Sequence, residues 1–374
     1  MSKRPGSLKD VAVCAVDDPL SSRTWSGTPR ALCLAMERAG RLHSAAGLSP
    51  RFKLLRGLIR LASFVYYRGS DDWKRGALCR QICARRLARL CRDRLVAHVL
   101  HTGTFTVPAR PPAGARHFLY CDSTWHIWSR RAQPSGYRSA KYLSDAERLE
   151  RQAYRAVRHI FTTAQYVKDD LTDYYQVPMD AVTVVGTGRG AIQPWFGEKQ
   201  PDNGLILFAA KQRFADKGGD LLVQGFKLAR QRDARLTLHI AGDDQYLRLF
   251  SREPGIQPHG HVSLAELQQL FNQASLFAMP APFEPWGLVY LESLSCKTPV
   301  LGLARNALPE IIQHGRYGFL VDKPEPEAVA EALLTAFRDP DRLRRMGEEG
   351  QRYCLDKFDW DKVADRILDQ MSAP

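Results

Sequence analysis

The chain has 374 residues, 44% apolar and 25% charged, which suits two α/β cores and excludes a disordered or fibrous class. Its net charge of +14 favours anionic partners such as nucleotide diphosphates, nucleic acid or anionic lipid. Eight cysteines without paired metal spacing read as reduced thiols in a cytoplasmic protein rather than a disulfide framework or a zinc site, and no apolar run is long enough to span a membrane.

Lys3 and Arg4 precede only a short apolar run, residues 11–16, broken by Asp17. That run reads as a first buried strand and not as a signal peptide. A polar loop follows. Thr28 is expected as the N-cap and Pro29 as the first residue of a helix over 30–39. Gly27 lets backbone approach a ligand, and the helix start offers N–H groups to phosphate, although the same pattern also describes a plain capped helix.

Residues 51–94 are unusual. Thirteen Lys and Arg, the first Arg51 and the last Arg94, face only Asp71, Asp72 and Asp93, an excess of +10. Leu54, Leu55, Leu58, Ile59 and Leu61, then Ile82, Leu87, Leu90 and Cys91, lie between the charges at helical spacing. Two basic amphipathic helices are expected. They are either solvated outer faces packed on a sheet or a surface for an acceptor or an anionic membrane. No recognisable nucleic-acid module accompanies the arginines, so nucleic acid is not expected as a partner.

Residues 97–100 and 117–121 read as strands. The loop after the second carries Asp122 and His126. A helix over 147–157, a strand over 159–162, a helix running to Tyr175 and a strand over 182–185 complete a first domain, 1–195. Residues 193–203 are polar and contain Pro, and read as the linker. A second domain, 204–355, opens with a strand over 205–209, a helix from Lys217 and a strand over 236–241. Ser263 with Glu266 three residues on forms a capping box.

The densest signal lies at residues 280–299. A short apolar run ending at Met279 reads as a buried strand. Pro280, Pro282 and Pro285 then forbid regular structure. From Gly287, Leu288, Leu291 and Leu294 fall at helical spacing, so Glu284 sits in the loop and Glu292 in the second helical turn. Open α/β sheets bind ligands beyond the carboxyl ends of their strands, on such strand–loop–helix units. A carboxylate can take both hydroxyls of a vicinal diol, which suits ribose and sugar rings. The alternative is that these acids only complement the helix dipole.

Glu284-Pro285-Trp286-Gly287 with Glu292 resembles the donor-site signature of the retaining GT-B glycosyltransferases of family 4, or group 1. The resemblance continues through Pro299-Val300-Leu301-Gly302, Pro309-Glu310-Ile311-Ile312 and Gly318-Phe319-Leu320-Val321. Ser26-Gly27-Thr28-Pro29 is similar to the family's first loop, near the donor phosphates. The family's Arg five residues before Lys217 is Gln212 here, flanked by Lys211 and Arg213, and either flanking cation can take its place.

The resemblance implies two Rossmann-like doubly wound α/β domains facing a central cleft, with residues 356–374 as a helix crossing back to the first. It implies a donor site of Gly27, Lys211, Arg213, Lys217, Glu284, Trp286, Gly287, Leu288 and Glu292. Glu292 would hold the ribose of a nucleotide sugar and Glu284 the hydroxyls of the donor sugar. Glu284, Lys217, Arg213 and His126 are its catalytic candidates, and Asp122 and His126 its acceptor-side candidates. The implied reaction is metal-independent sugar transfer from a nucleotide-diphosphate sugar, as co-substrate without a further cofactor, to a glycan or glycolipid hydroxyl. Anomeric configuration is retained, and the leaving phosphate takes the acceptor proton. The implied setting is bacterial cell-surface glycan or glycoconjugate synthesis in the cytoplasm, or peripherally on the inner membrane. A nucleotide-sugar epimerase and an inactive binding module on the same fold are the alternatives.

Overall fold

The computed structural model describes residues 9–50, 52–69, 72–93, 95–130 and 138–373. Lys3, Arg4, Arg51, Asp71 and Arg94 therefore lie outside the described residues. The chain divides into two compact units, 1–188 with 360–374, and 189–359.

The first unit holds a parallel sheet of β1 (Val11–Ala15), β2 (Leu42–Gly47), β3 (His98–Thr102), β4 (Arg116–Cys121), β5 (His159–Thr162) and β6 (Val182–Val184). Its order is β2-β1-β3-β4-β5-β6. The second unit holds β7 (Leu205–Ala210), β8 (Thr237–Gly242), β9 (Ile256–Gly260), β10 (Leu276–Ala278), β11 (Val300–Leu303) and β12 (Gly318–Val321) in the order β12-β11-β10-β7-β8-β9. Every strand pair is parallel. The connections reverse direction between β1 and β3 in one sheet and between β7 and β10 in the other. Such switch points leave a crevice beyond the strand ends.

Central strands are continuous apolar runs because both faces are covered. β1 is buried along its whole length, as is β10. Four strands, β2, β9, β11 and β12, escape the sequence reading, and all but β11 are sheet edges. β2 is half-buried throughout and carries no alternation. β9 contains Pro258, which an edge strand accommodates on the side it leaves unpaired.

Three helices of the first unit matter below: α1 (Thr28–Arg38), α2 (Lys53–Tyr66) and α3 (Ala77–Leu90). The closing helix, Trp360–Ser372, belongs to this unit as well. Its Val363, Ala364, Ile367 and Met371 form one i, i+4 stripe, buried with Leu32, Cys33 and Met36 of α1. The Arg38–Asp361 ion pair lies at the rim of that contact.

Residues 193–203, expected as a linker, instead belong to the second unit, which begins at Arg189. The reason is hydrogen bonding. The Gln193 N–H donates to Gln268 Oε1 at 2.8 Å, and the Trp195 N–H donates to the Ser295 carbonyl at 3.2 Å. The Lys199 ammonium shares its three N–H donors among the carbonyls of Phe271, Asn272 and Ala274 and the Thr298 hydroxyl, all at 2.6–2.9 Å. It thereby satisfies the orphan carbonyls closing the helix Leu264–Gln273. Burial pushes its pKa down to about 7.

Candidate functional site

In the second unit the sequence candidates gather on the loops that follow β7 and β10, the hydrogen-bonded neighbours at the switch point. After β7, Arg213 adopts a left-handed φ of 63° and a single 3-10 turn, Ala215–Lys217, delivers Lys217. Gly218 then caps the helix Gly219–Arg232 with φ 76°. A Cβ at Gly218 would lie 2.0 Å from the carbonyl oxygen of Pro280, so only glycine lets the two loops approach this closely. That approach brings the Lys217 ammonium onto Glu284 Oε2 as an ion pair.

The two other cations differ. Arg213 is paired with Asp216, its Nε 2.7 Å from Oδ2. Lys211 is exposed, and its charge reaches Glu292.

Glu292 stands on the helix Leu288–Ser295, which Gly287 caps with φ 83°. Its Oε1 accepts the N–H groups of Ala191 at 2.8 Å and Ile192 at 3.4 Å. A Cβ at Gly190 would lie 2.1 Å from that same oxygen, so the absence of a side chain at Gly190 makes the approach possible. Burial raises the carboxyl pKa, opposed by the two N–H bonds and by Lys211.

Trp286 is buried, with its ring 6.0 Å from that of Phe358. Its indole N–H has no hydrogen-bond partner among the described residues. Leu288 is half-buried at the helix start. Asn306, which sequence reasoning did not single out, accepts the Glu284 N–H through Oδ1 at 3.3 Å from a left-handed backbone. The only trace of that position in the sequence is the residue type, since Asn tolerates positive φ better than most.

In the first unit, Trp25, Ser26 and Gly27 have successive φ values of 43°, 53° and 83°. Gly27 is the N-cap and Thr28 the first helical residue, one position earlier than expected, and no side chain caps the helix. Three left-handed residues in a row are costly, two of them bearing side chains. The Asp122 carboxylate helps hold them, because its Oδ2 accepts the Trp25 indole N–H at 2.7 Å. Asp122 thereby ties the loop after β4 to the loop after β1.

His126 lies on the short helix Trp125–Ser129. Its Nδ1 is 2.5 Å from Asp170 Oδ1, and Arg130 approaches Nε2 at 3.1 Å. A guanidinium only donates, so Nε2 accepts and the proton sits on Nδ1, directed at Asp170. The ring also stacks on Tyr174, with centroids 3.6 Å apart. Both ring nitrogens are therefore engaged locally. Asp170 was not legible in the sequence as the partner of His126, because the two lie 44 residues apart.

A separate open pocket of about 430 Å³ is lined by Arg316, Tyr317, Glu349, Arg352, Tyr353 and Asp356 and includes none of these residues.

The family model described as glycosyl transferases group 1 matches residues 193–353. The chain is 34% identical over 307 residues to the alpha-maltose-1-phosphate synthase of Mycolicibacterium smegmatis, spanning 73% of this chain and 77% of that protein. The sucrose-phosphate synthase of Thermosynechococcus elongatus superposes with a TM-score of 0.71 at 13% identity, covering 96% of this chain and 98% of that one. Anabaena Alr3699/HepE, solved in complex with UDP and glucose, superposes with a TM-score of 0.66 at 15% identity, covering 97% and 99%. At these identities the structural likeness is one of fold.

Proposed function

Because the chain belongs to the group 1 glycosyl transferases, we propose that it moves a sugar from a nucleotide-diphosphate donor to an acceptor hydroxyl with retention of anomeric configuration. The observation that carries this reading is the Lys217–Glu284 pair at the β7/β10 switch point. An ammonium has three donors. With one on Glu284, two remain for oxygens of a donor diphosphate. Charge on that diphosphate grows as the glycosidic bond breaks, and a fixed cation stabilises it where it develops.

The remaining roles are proposed on the same basis. Lys211 is the stronger candidate for the second cation, because Asp216 already takes the Arg213 charge. In this reading the two cations, and not a metal ion, neutralise the diphosphate. Glu292 keeps Oε1 on Ala191 and Ile192, which leaves Oε2 for a ribose hydroxyl. The Glu284 carboxylate would meet hydroxyls of the transferred sugar. On the acceptor side, Asp122 shapes the loop, and His126 acts as a positioning residue because its two nitrogens are committed. The donor proposed is a nucleotide-linked hexose. The setting is glycan or glycoconjugate synthesis on the cytoplasmic side.

The test is a panel of nucleotide sugars assayed with and without bacterial glycan and glycolipid extracts. One donor is expected to raise the melting temperature, since a ligand that binds only the native state stabilises it. Free nucleotide diphosphate should appear only with acceptor, and proton NMR should show the donor's anomeric configuration in the product. No thermal shift and no nucleotide release with any donor would reject the proposal.

A further inference from the structure

The basic stretch 51–94 splits into two helices with opposite fates. α3 is committed to the interior. Its Cys79, Cys83 and Leu87 are buried with Ala12, Cys14 and Val99 of the sheet. Arg80 is buried, donating to the Thr104 carbonyl at 2.8 Å and lying 3.4 Å from Glu150. The neighbouring Arg75 pairs with Asp72 and packs over Phe105 and Trp128, and Arg86 donates to the Ser49 carbonyl. Three of the thirteen cations that singled out this stretch, Arg75, Arg80 and Arg86, therefore serve internal contacts.

α2 is different. Only Ile59 and Ser63 are buried within it, followed by Tyr67 just past its end, a narrow i, i+4 seam. Its main apolar arc points elsewhere. Leu54, Leu58, Leu61 and Val65 follow i, i+4, i+7, i+11 spacing, one face of a helix. They are 79%, 56%, 61% and 69% exposed. Phe52 and Tyr66 add exposed aromatic surface at the two ends. Beside this arc stand the exposed cations Lys53, Arg56 and Arg60, with Arg68 after the helix. Residues 52–69 contain no Asp or Glu. Lys141 adds a cation at the edge, 3.4 Å from the Tyr66 ring centroid. A row of leucines left in water on a fourteen-residue helix needs an occupant.

We infer that α2 is an interfacial anchor that lays Leu54, Leu58, Leu61 and Val65 into the headgroup–acyl boundary of an anionic bilayer, with Lys53, Arg56 and Arg60 at the phosphate level. Charge decides among the occupants. A second copy in a two-fold contact would set the same patch against itself. Cations would then face cations with no acid on either helix to relieve them. An anionic lipid surface complements both halves of the helix, taking the leucines into its apolar layer and the cations at its phosphates. Among the described residues no helix is long and apolar enough to cross a membrane, so the mode is lying on the surface. The inference does not depend on the reaction assigned to the second unit.

The test is co-sedimentation of the full chain with vesicles of phosphatidylcholine alone or with about a third phosphatidylglycerol, at low and high salt. Expected is binding to the anionic vesicles at least roughly tenfold tighter than to neutral ones, weakened by salt. The variant Leu54→Glu/Leu61→Glu alters only exposed side chains. It should keep the wild-type melting curve and lose at least roughly tenfold in vesicle binding. Absence of binding to anionic vesicles at low salt would overturn the inference. So would full binding by the double variant, which would show adsorption by charge alone. Analytical ultracentrifugation without lipid covers the remaining occupant. A dimer that the double variant converts to monomer, with no vesicle binding by the wild type, would assign the face to a second copy and likewise overturn it.

Discussion

The Lys217 ammonium is bound to the Glu284 carboxylate, joining the loop after β7 to the loop after β10 at the point where strand order reverses. The two residues are 67 positions apart in the chain, and the parallel pairing of β7 with β10 brings them together. Replacing Lys217 by Ala removes the cation and leaves Glu284 as an unpaired, half-buried carboxylate. Turnover is expected to fall roughly hundredfold, with a smaller change in donor affinity, because the lost charge acts mainly on the developing diphosphate. Steady-state kinetics with the preferred donor decides it, and full turnover in Lys217→Ala would place the diphosphate elsewhere.

Glu292 and Gly190 form a second testable contact. Glu292→Gln keeps the size of the side chain and removes the charge. A hydrogen bond to a charged group contributes about 1.5–3 kcal/mol, so the donor Kd should rise roughly ten- to hundredfold. Gly190→Ala should act in the same direction by driving a methyl group onto Oε1. Isothermal titration calorimetry reads both, and an unchanged Kd in Glu292→Gln removes the ribose assignment.

Gly218 and Gly186 separate steric demand from backbone strain. Both have φ 76°, but a Cβ at Gly186 meets nothing within 4 Å, whereas one at Gly218 meets Pro280 O at 2.0 Å. Ala at Gly186 should cost about 1–2 kcal/mol, the ordinary penalty of a left-handed conformation. Ala at Gly218 should cost more and also lower donor affinity, since the two loops must part. Urea denaturation compares the pair, and equal losses would show that close approach of the loops is not what requires Gly218.

One buried and one half-buried histidine pair set the response to acid. His101 Nε2 lies 3.0 Å from His117 Nδ1, and His259 Nε2 lies 3.0 Å from His239 Nδ1. In each pair one ring N–H donates to the facing nitrogen, an arrangement that is lost once both rings are protonated. Burial lowers the pKa of all four rings, pushing His239 down to about 4 from 6.5. A depressed pKa in the folded state means that the unfolded chain binds more protons. Stability is therefore complete above about pH 6.5 and lost as pH falls towards 4. The melting temperature should drop across that window, and His239→Asn should flatten the drop. An identical pH profile in the variant would remove His239 from the account.

The alternation of strands and helices was legible in the sequence, because a buried parallel strand is a local apolar run and a helix start has local caps. The residues at the ends of β7 and β10 were legible for a similar reason. Glu284, Trp286, Gly287 and Glu292 fall within nine residues, where prolines and a glycine force strand, loop and helix in turn. The edge strands β2 and β9 were not legible, since one-sided pairing imposes little pattern on composition. Nor was the place where the second unit begins, which depends on Gln193, Trp195 and Lys199 finding partners some 75 to 100 residues away. Tertiary structure alone paired His126 with Asp170, and alone bound Glu292 to the backbone at Ala191 and Ile192. Sequence periodicity marked α2 and α3 alike as amphipathic and basic. Packing then drew α3 onto the sheet and left the leucines of α2 in solvent, because periodicity records which residues share a face and not what that face meets.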